Sequence, residues 1–205
     1  MRRFLSLLYI AIFTVLSAES AGPTASEILD MTSAAFQKAK TLAVEYTMTA
    51  DGHKTKGNIT ISGDKFKLTS PEMTVWYDGK TQWTYNSDIR EVNITEPTPE
   101  ELADVNPFVI ISSFRRNYNA RIVKSAPNQY KLDLSPRGDS QQNIARAIIT
   151  LDKSTYMPTE IALSVDGDHT LAIHILSIQQ GKNYPMSTFV FNKNAYPKVE
   201  IVDLR

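Results

Sequence analysis

The sequence predicts a mainly β protein: an antiparallel sheet preceded by one N-terminal helix. Three observations predict it. From Leu42 onward apolar and polar residues alternate with a period of two, as in strands with one covered face. Turn signals such as Gly63-Asp64, Pro136-Arg137-Gly138 and Asp152-Lys153 break the alternation at intervals too short for parallel crossovers. Ahead of the strands, a capping box introduces apolar residues at helical spacing.

The chain opens MRRFLSLLYIAIFTVLSAES. Arg2 and Arg3 precede an apolar run from Phe4 to Leu16, and small residues offer cleavage after Ala18 or Ser20. This is the form of a secretory signal peptide. The run is short for a bilayer span, which needs ~20 residues, so an uncleaved anchor is the minor alternative. Residues 1–20 are expected to be removed. Residues 21–205 show neither a repeat nor a Gly/Ser linker and are expected to form one domain.

Thr24 is placed to cap a helix over 25–40, with Glu27 reaching back and Ile28, Met31, Ala35, Phe36 and Ala39 forming its stripe. Leu42, Val44, Tyr46 and Met48 mark the first strand. DGHKTKG, at 51–57, reads as a turn-rich loop. Ile59 and Ile61 mark the second strand, and Phe66 and Leu68 the third. In EMTVWYDGKTQWTY, at 72–85, Asp78-Gly79 predicts a two-residue type I′ hairpin with Tyr77 opposite Lys80 and Trp76 opposite Thr81. Thr74, Trp76, Thr81, Trp83 and Tyr85 then share one face, with Met73, Val75, Tyr77, Lys80, Gln82 and Thr84 on the other. That aromatic face fits either an ordinary core surface or the wall of an apolar ligand cavity. Val92 and Ile94 mark the next strand.

PTPEELADVNPFVIISSFRRNY interrupts the strands. Asn106 and Pro107 predict a short helix start. Phe108, Val109, Ile110, Ile111 and Phe114 make that helix apolar nearly all round, so it should be buried or cover an apolar surface. Arg115 and Arg116 suit its C-terminal end. Strands are predicted again over 121–124, 129–134, 144–151, 159–165, 170–179, 187–191 and 199–203.

The chain has no cysteine, which removes disulfides, thiol catalysis and lipidation at an N-terminal cysteine. Cleavage would remove Arg2, Arg3 and Glu19, leaving 20 basic and 21 acidic residues from 22 of each. Such a balance gives no long-range pull toward nucleic acid or an anionic membrane. His53, His169 and His174 are scattered, so no metal or other cofactor is expected. HExxH, GxSxG, GxGxxG and P-loop motifs are missing. Ser62-Gly63-Asp64-Lys65 matches SxxK but reads as a strand turn. Asp166-Gly167-Asp168 lacks the rest of a calcium loop. Asn58-Ile59-Thr60 and Asn93-Ile94-Thr95 are sequons in form, equally explained as strand residues. No enzyme is expected.

In order, the signal-like start, the helix, GNITIS, DKFKL, YDGKTQWTYN, NPFVII and the ending VEIVDLR resemble the LolA family of periplasmic outer-membrane lipoprotein carriers. The resemblance covers essentially the whole chain after residue 20. It implies a strongly bent antiparallel sheet, an incomplete barrel, with the N-terminal helix and short lid helices on its concave side. It implies a periplasmic carrier, acting as a monomer, that receives acylated lipoproteins from an inner-membrane ABC transporter and delivers them to an outer-membrane acceptor. Phe66, Leu68, Trp76, Trp83 and Tyr85 are the expected cavity residues, and Phe108, Ile110, Ile111 and Phe114 the expected lid. The family carries an arginine after the strand matching GNITI that helps to hold the lid shut. This chain has Ile61-Ser62-Gly63-Asp64-Lys65 there instead. Carriage of other lipids and a sensor or protein-binding role are the alternatives.

Overall fold

The computed structural model describes residues 22–98, 101–102, 117–124, 126–138, 144–165 and 169–205. Thr24 caps α1, Ala25–Ala39, as its residues predict. Its hydroxyl accepts from the Glu27 N–H at 3.2 Å, and its own N–H donates to Glu27 Oε2 at 2.8 Å. Thr98 and Glu101 repeat the device ahead of residues 101–102, a helix start that the sequence pattern did not single out.

Among the described residues twelve strands follow: β1 Thr41–Ala50, β2 His53–Ser62, β3 Lys65–Thr69, β4 Met73–Tyr77, β5 Gln82–Asn86, β6 Glu91–Thr95, β7 Tyr118–Val123, β8 Gln129–Pro136, β9 Ile144–Asp152, β10 Pro158–Val165, β11 Thr170–Gln180 and β12 Glu200–Asp203. They form one sheet in the order β12-β6-β5-β4-β3-β2-β1-β11-β10-β9-β8-β7. The sheet is open, not closed into a barrel, with β12 and β7 as its edges. β1 to β6 form one meander and β7 to β11 another. They join where β1 pairs antiparallel with β11, from Leu42 opposite Gln180 to Ala50 opposite Leu171.

Three local expectations are corrected. Only Asp51 and Gly52 of DGHKTKG form a turn; His53 to Gly57 belong to β2. Ala50 lies opposite His53, and Asp51 and Gly52 have φ of 48° and 81°, the positive pair of a two-residue hairpin turn. Residues 187–191 are not a strand. Met186–Phe189 is a 3-10 turn, because this segment lies on the face of β3 and β4, where no strand edge is open to it. Finally, β12 pairs parallel with β6, the exception in an otherwise antiparallel sheet. The chain leaves β11 in mid-sheet, crosses one face and reaches the far edge running in the same direction as β6. The short helix expected at 106–114 lies outside the described residues.

The core is one continuous cluster. It joins Ile28 and Leu29 of α1 to Leu42, Val44, Ile59, Phe66 and Val75 on one side and to Leu132, Ile149, Ile161 and Ile173 on the other. Gly57 is required within it. A Cβ there would stand 2.6 Å from Cζ and the hydroxyl oxygen of Tyr46, its cross-strand partner. Gly57→Ala should therefore lower stability by about 1–3 kcal/mol through overpacking. Urea unfolding tests this; an unchanged midpoint would show that the Tyr46 ring moves aside freely.

Candidate functional site

Strand register assigns every side chain to one of two faces, because directly opposed residues point the same way. Phe66 lies opposite Tyr77 and Ile61, and Leu68 opposite Val75 and Ile59. These belong to the inner face, with Leu42, Val44 and Tyr46 and, across β11, Ile173, Ile161, Ile149 and Leu132. α1 packs on this face. It is apolar from β4 to β8, and half-buried Met48, Ile61, Leu171, Ile175 and Ile178 border the buried residues.

Trp76 lies opposite Lys67 and Trp83, and Tyr85 opposite Thr74 and Val92. These side chains belong to the outer face, which is polar at mid-sheet, where Glu45 opposes Asn58 and Thr60 opposes Lys67. The structure thus separates the five expected cavity residues. Phe66 and Leu68 stand with the core, whereas Trp76, Trp83 and Tyr85 point away from it. The expected lid residues Phe108, Ile110, Ile111 and Phe114 lie outside the described residues.

The hairpin explains why the three outer aromatics nonetheless stay together. Tyr77 lies opposite Gln82, leaving a four-residue connection instead of a two-residue turn. Asp78 Oδ1 accepts from the N–H groups of Lys80 and Thr81 at 2.9 and 2.8 Å, while the Asp78 N–H donates to the Thr81 carbonyl. The carboxylate therefore organises an Asx-type loop. Gly79 has φ of 102°, and a Cβ there would lie 2.8 Å from Asp64 Oδ2. The register differs from the predicted one by two residues. An even shift keeps Trp76, Trp83 and Tyr85 on one face and removes only Thr81 from it.

A C-terminal strap covers that aromatic face. The Gly181 N–H donates to the Thr41 carbonyl as the chain leaves β11. Phe191 and Tyr196 then meet Trp76 edge-on, with ring centroids 5.5 and 5.6 Å away, and Tyr196 stands 4.7 Å from Tyr85. Lys67 Nζ lies 5.6 Å from the Trp76 ring centre. Burial pushes the Tyr196 hydroxyl above its ordinary pKa. Trp76 is only 4% exposed, so the strap occupies the surface that a ligand would need.

The turn at 62–65, where the family resemblance implies an arginine, is closed by local contacts. Gly63, with φ of 62°, donates its N–H to the Lys40 carbonyl, and Lys65 pairs with Asp64 at 3.2 Å. Two of the three histidines have separate partners: His169 lies 3.2 Å from Asp51, and His174 lies 3.5 Å from Glu160. Among the described residues no group of three histidine or carboxylate side chains could hold a metal ion. The wide apolar face on β8 to β11 was legible as alternation in each strand. Its union with β1 to β4 required the long-range β1–β11 pairing.

Residues 17–167 match the family described as outer membrane lipoprotein carrier protein LolA. In shape the chain is similar to an uncharacterized conserved protein from Thermus thermophilus, with a TM-score of 0.60 at 10% identity. That match covers 87% of this chain and 98% of the other. A putative outer membrane lipoprotein-sorting protein domain from Vibrio parahaemolyticus gives a TM-score of 0.47 at 12% identity, over 84% of this chain and 97% of the other. A chain of the Pseudomonas aeruginosa MucA/MucB complex gives 0.45 at 15% identity, over 87% and 64%. No curated protein matches the sequence.

Proposed function

The chain belongs to the LolA family of outer membrane lipoprotein carriers, and on that footing we propose that it holds the acyl chains of lipoproteins against the inner face of its open sheet. The observation that carries this reading is the asymmetry of the two faces. One side is apolar from β4 to β8 around α1, while the outer side is polar at mid-sheet and strapped at its aromatic end. Phe66 and Leu68 belong to the proposed ligand face. Trp76 and Tyr85 fasten the strap.

The energetics fit such a role. An acyl chain of about 14 methylenes loses roughly 11 kcal/mol of favourable burial on entering water, at ~0.8 kcal/mol per CH₂. A carrier through water must recover most of this. An open sheet whose core is partly bordered by half-buried Met48, Ile61 and Ile175 offers apolar surface that can change partners. The reading includes export by a signal segment in residues 1–20, work in the periplasm by residues 21–205 as one domain, and exchange with a membrane transporter and an outer-membrane acceptor.

Protein starting at residue 21 is expected to bind an apolar fluorescent probe that an acylated peptide displaces and the same peptide without its acyl chain does not. Ile175→Lys, at a half-buried inner-face position, should weaken probe binding by at least roughly tenfold, since an ammonium resists burial. Equal displacement by both peptides would replace the carrier reading with a protein-binding role.

A further inference from the structure

On the outer face at the β7 end, far from the strap in strand order, two arginines converge on one carboxylate. Arg121 of β7 lies directly opposite Asp133 of β8, and Arg146 reaches it from β9. Asp133 Oδ1 accepts from Arg146 Nε at 2.8 Å. Oδ2 accepts from Arg146 Nη2 and Arg121 Nε, both at 2.9 Å, and from Arg121 Nη2. The carboxylate's acceptor capacity of about four hydrogen bonds is therefore filled. Its side chain is 5% exposed, whereas those of Arg121 and Arg146 are 74% and 52% exposed. The anion forms the floor and the cations form the rim. Both guanidiniums keep Nη1 uncommitted among the described residues.

We propose that this cluster is a binding site for a phosphate group. A cavity of about 230 Å³ lies over it, lined by Asn119, Ala120, Arg121, Asp133, Ser135 and Arg146. That is below the ~300–1,000 Å³ of pockets for larger organic ligands and suits a small oxyanion. Guanidinium forks match phosphate oxygens in geometry as well as charge, and Asn119 and Ser135 add neutral donors. The local charge is favourable in a chain whose total is zero. Described residues 117–124, 126–138 and 144–152 contain Arg121, Lys124, Lys131, Arg137 and Arg146 against Asp133 and Asp152. Asp133 is already saturated, and Asp152 is occupied by Ser154 and Thr155. The site is on the face opposite the proposed acyl surface, so it stands or falls independently of that reading.

Calorimetric titration with inorganic phosphate at low ionic strength tests the proposal, using wild type, Arg121→Gln and Asp133→Asn. Arg121→Gln leaves Asp133 with its bidentate Arg146 partner and should fold. It is expected to weaken phosphate binding roughly tenfold, the scale of a charge-assisted contact. Asp133→Asn should tighten binding by removing the only negative charge among the described residues that line the cavity. Circular dichroism checks that each variant is folded. Flotation with phosphatidylglycerol/phosphatidylcholine vesicles separates the sources. Phosphate binding together with Arg121-dependent vesicle capture supports a lipid headgroup; phosphate binding without capture supports a free phosphate compound. Absence of millimolar phosphate binding and of vesicle capture overturns the proposal, as does binding that neither substitution changes.

Discussion

Trp76→Ala is expected to lower stability by about 3–5 kcal/mol, the range for removing a large buried aromatic, and to release the C-terminal strap. Trp76 is the point at which Phe191 and Tyr196 both meet the sheet. Without it the strap loses the ring that Phe191 and Tyr196 share, and β12 keeps a short parallel pairing to β6. Hydrogen exchange reads this directly. The Glu200 N–H donates to the Arg90 carbonyl at 3.1 Å and the Leu204 N–H to the Ile94 carbonyl at 2.9 Å. Both amides should lose protection while those of β1 and β11 keep theirs. Probe binding at the inner face should persist. If a folded Trp76→Ala protein lost probe binding and kept its strap protected, the ligand surface would be the aromatic outer face after all.

Phe66→Ala is expected to cost a similar ~3–5 kcal/mol in the ligand-free protein, but by emptying the core. Phe66 is 1% exposed and its ring centroid lies 5.4 Å from that of Tyr77. The strap amides should stay protected, because Phe66 faces the other side of the sheet. Denaturant unfolding with and without bound acylated peptide separates two roles. A smaller loss in the loaded protein would mean that ligand fills the space beside Tyr77. An equal loss in both would assign Phe66 to permanent packing and place the ligand further along the inner face.

The local devices of this chain were legible where their causes are local. Thr24 and Glu27 are three residues apart, and their reciprocal hydrogen bonds need nothing else. Asp-Gly dipeptides precede both β2 and β5, and the two-residue hairpin expected at the second occurs at the first. At Asp51-Gly52 the backbone takes the positive φ pair. At Asp78-Gly79 the aspartate carboxylate collects the Lys80 and Thr81 amides and lengthens the loop. The dipeptides are identical, and what differs is which strand residues can pair beyond them. The 3-10 turn at Met186–Phe189 carries a strand-like pattern for a related reason: apolar residues covering a sheet face need burial, not a ladder partner.

The sequence by itself determined the class of the fold, the start of α1, most strand positions and the company of Trp76, Trp83 and Tyr85 on one face. Those features follow from alternation and from neighbours within a few residues. Only the tertiary structure decided which face that is. Phe66 and Leu68 share a face by alternation, as do Trp76, Trp83 and Tyr85, but the relation between the two sets depends on how β3 pairs with β4 across Ser70-Pro71-Glu72. The observed register sets Phe66 opposite Tyr77 and Lys67 opposite Trp76. A slip of one residue would have brought Phe66 and Trp76 together. α1 and the β1–β11 junction bury one face, and the strap secures the other. Both depend on contacts across more than 100 positions of the chain, as Leu42 opposite Gln180 shows, which no local pattern encodes.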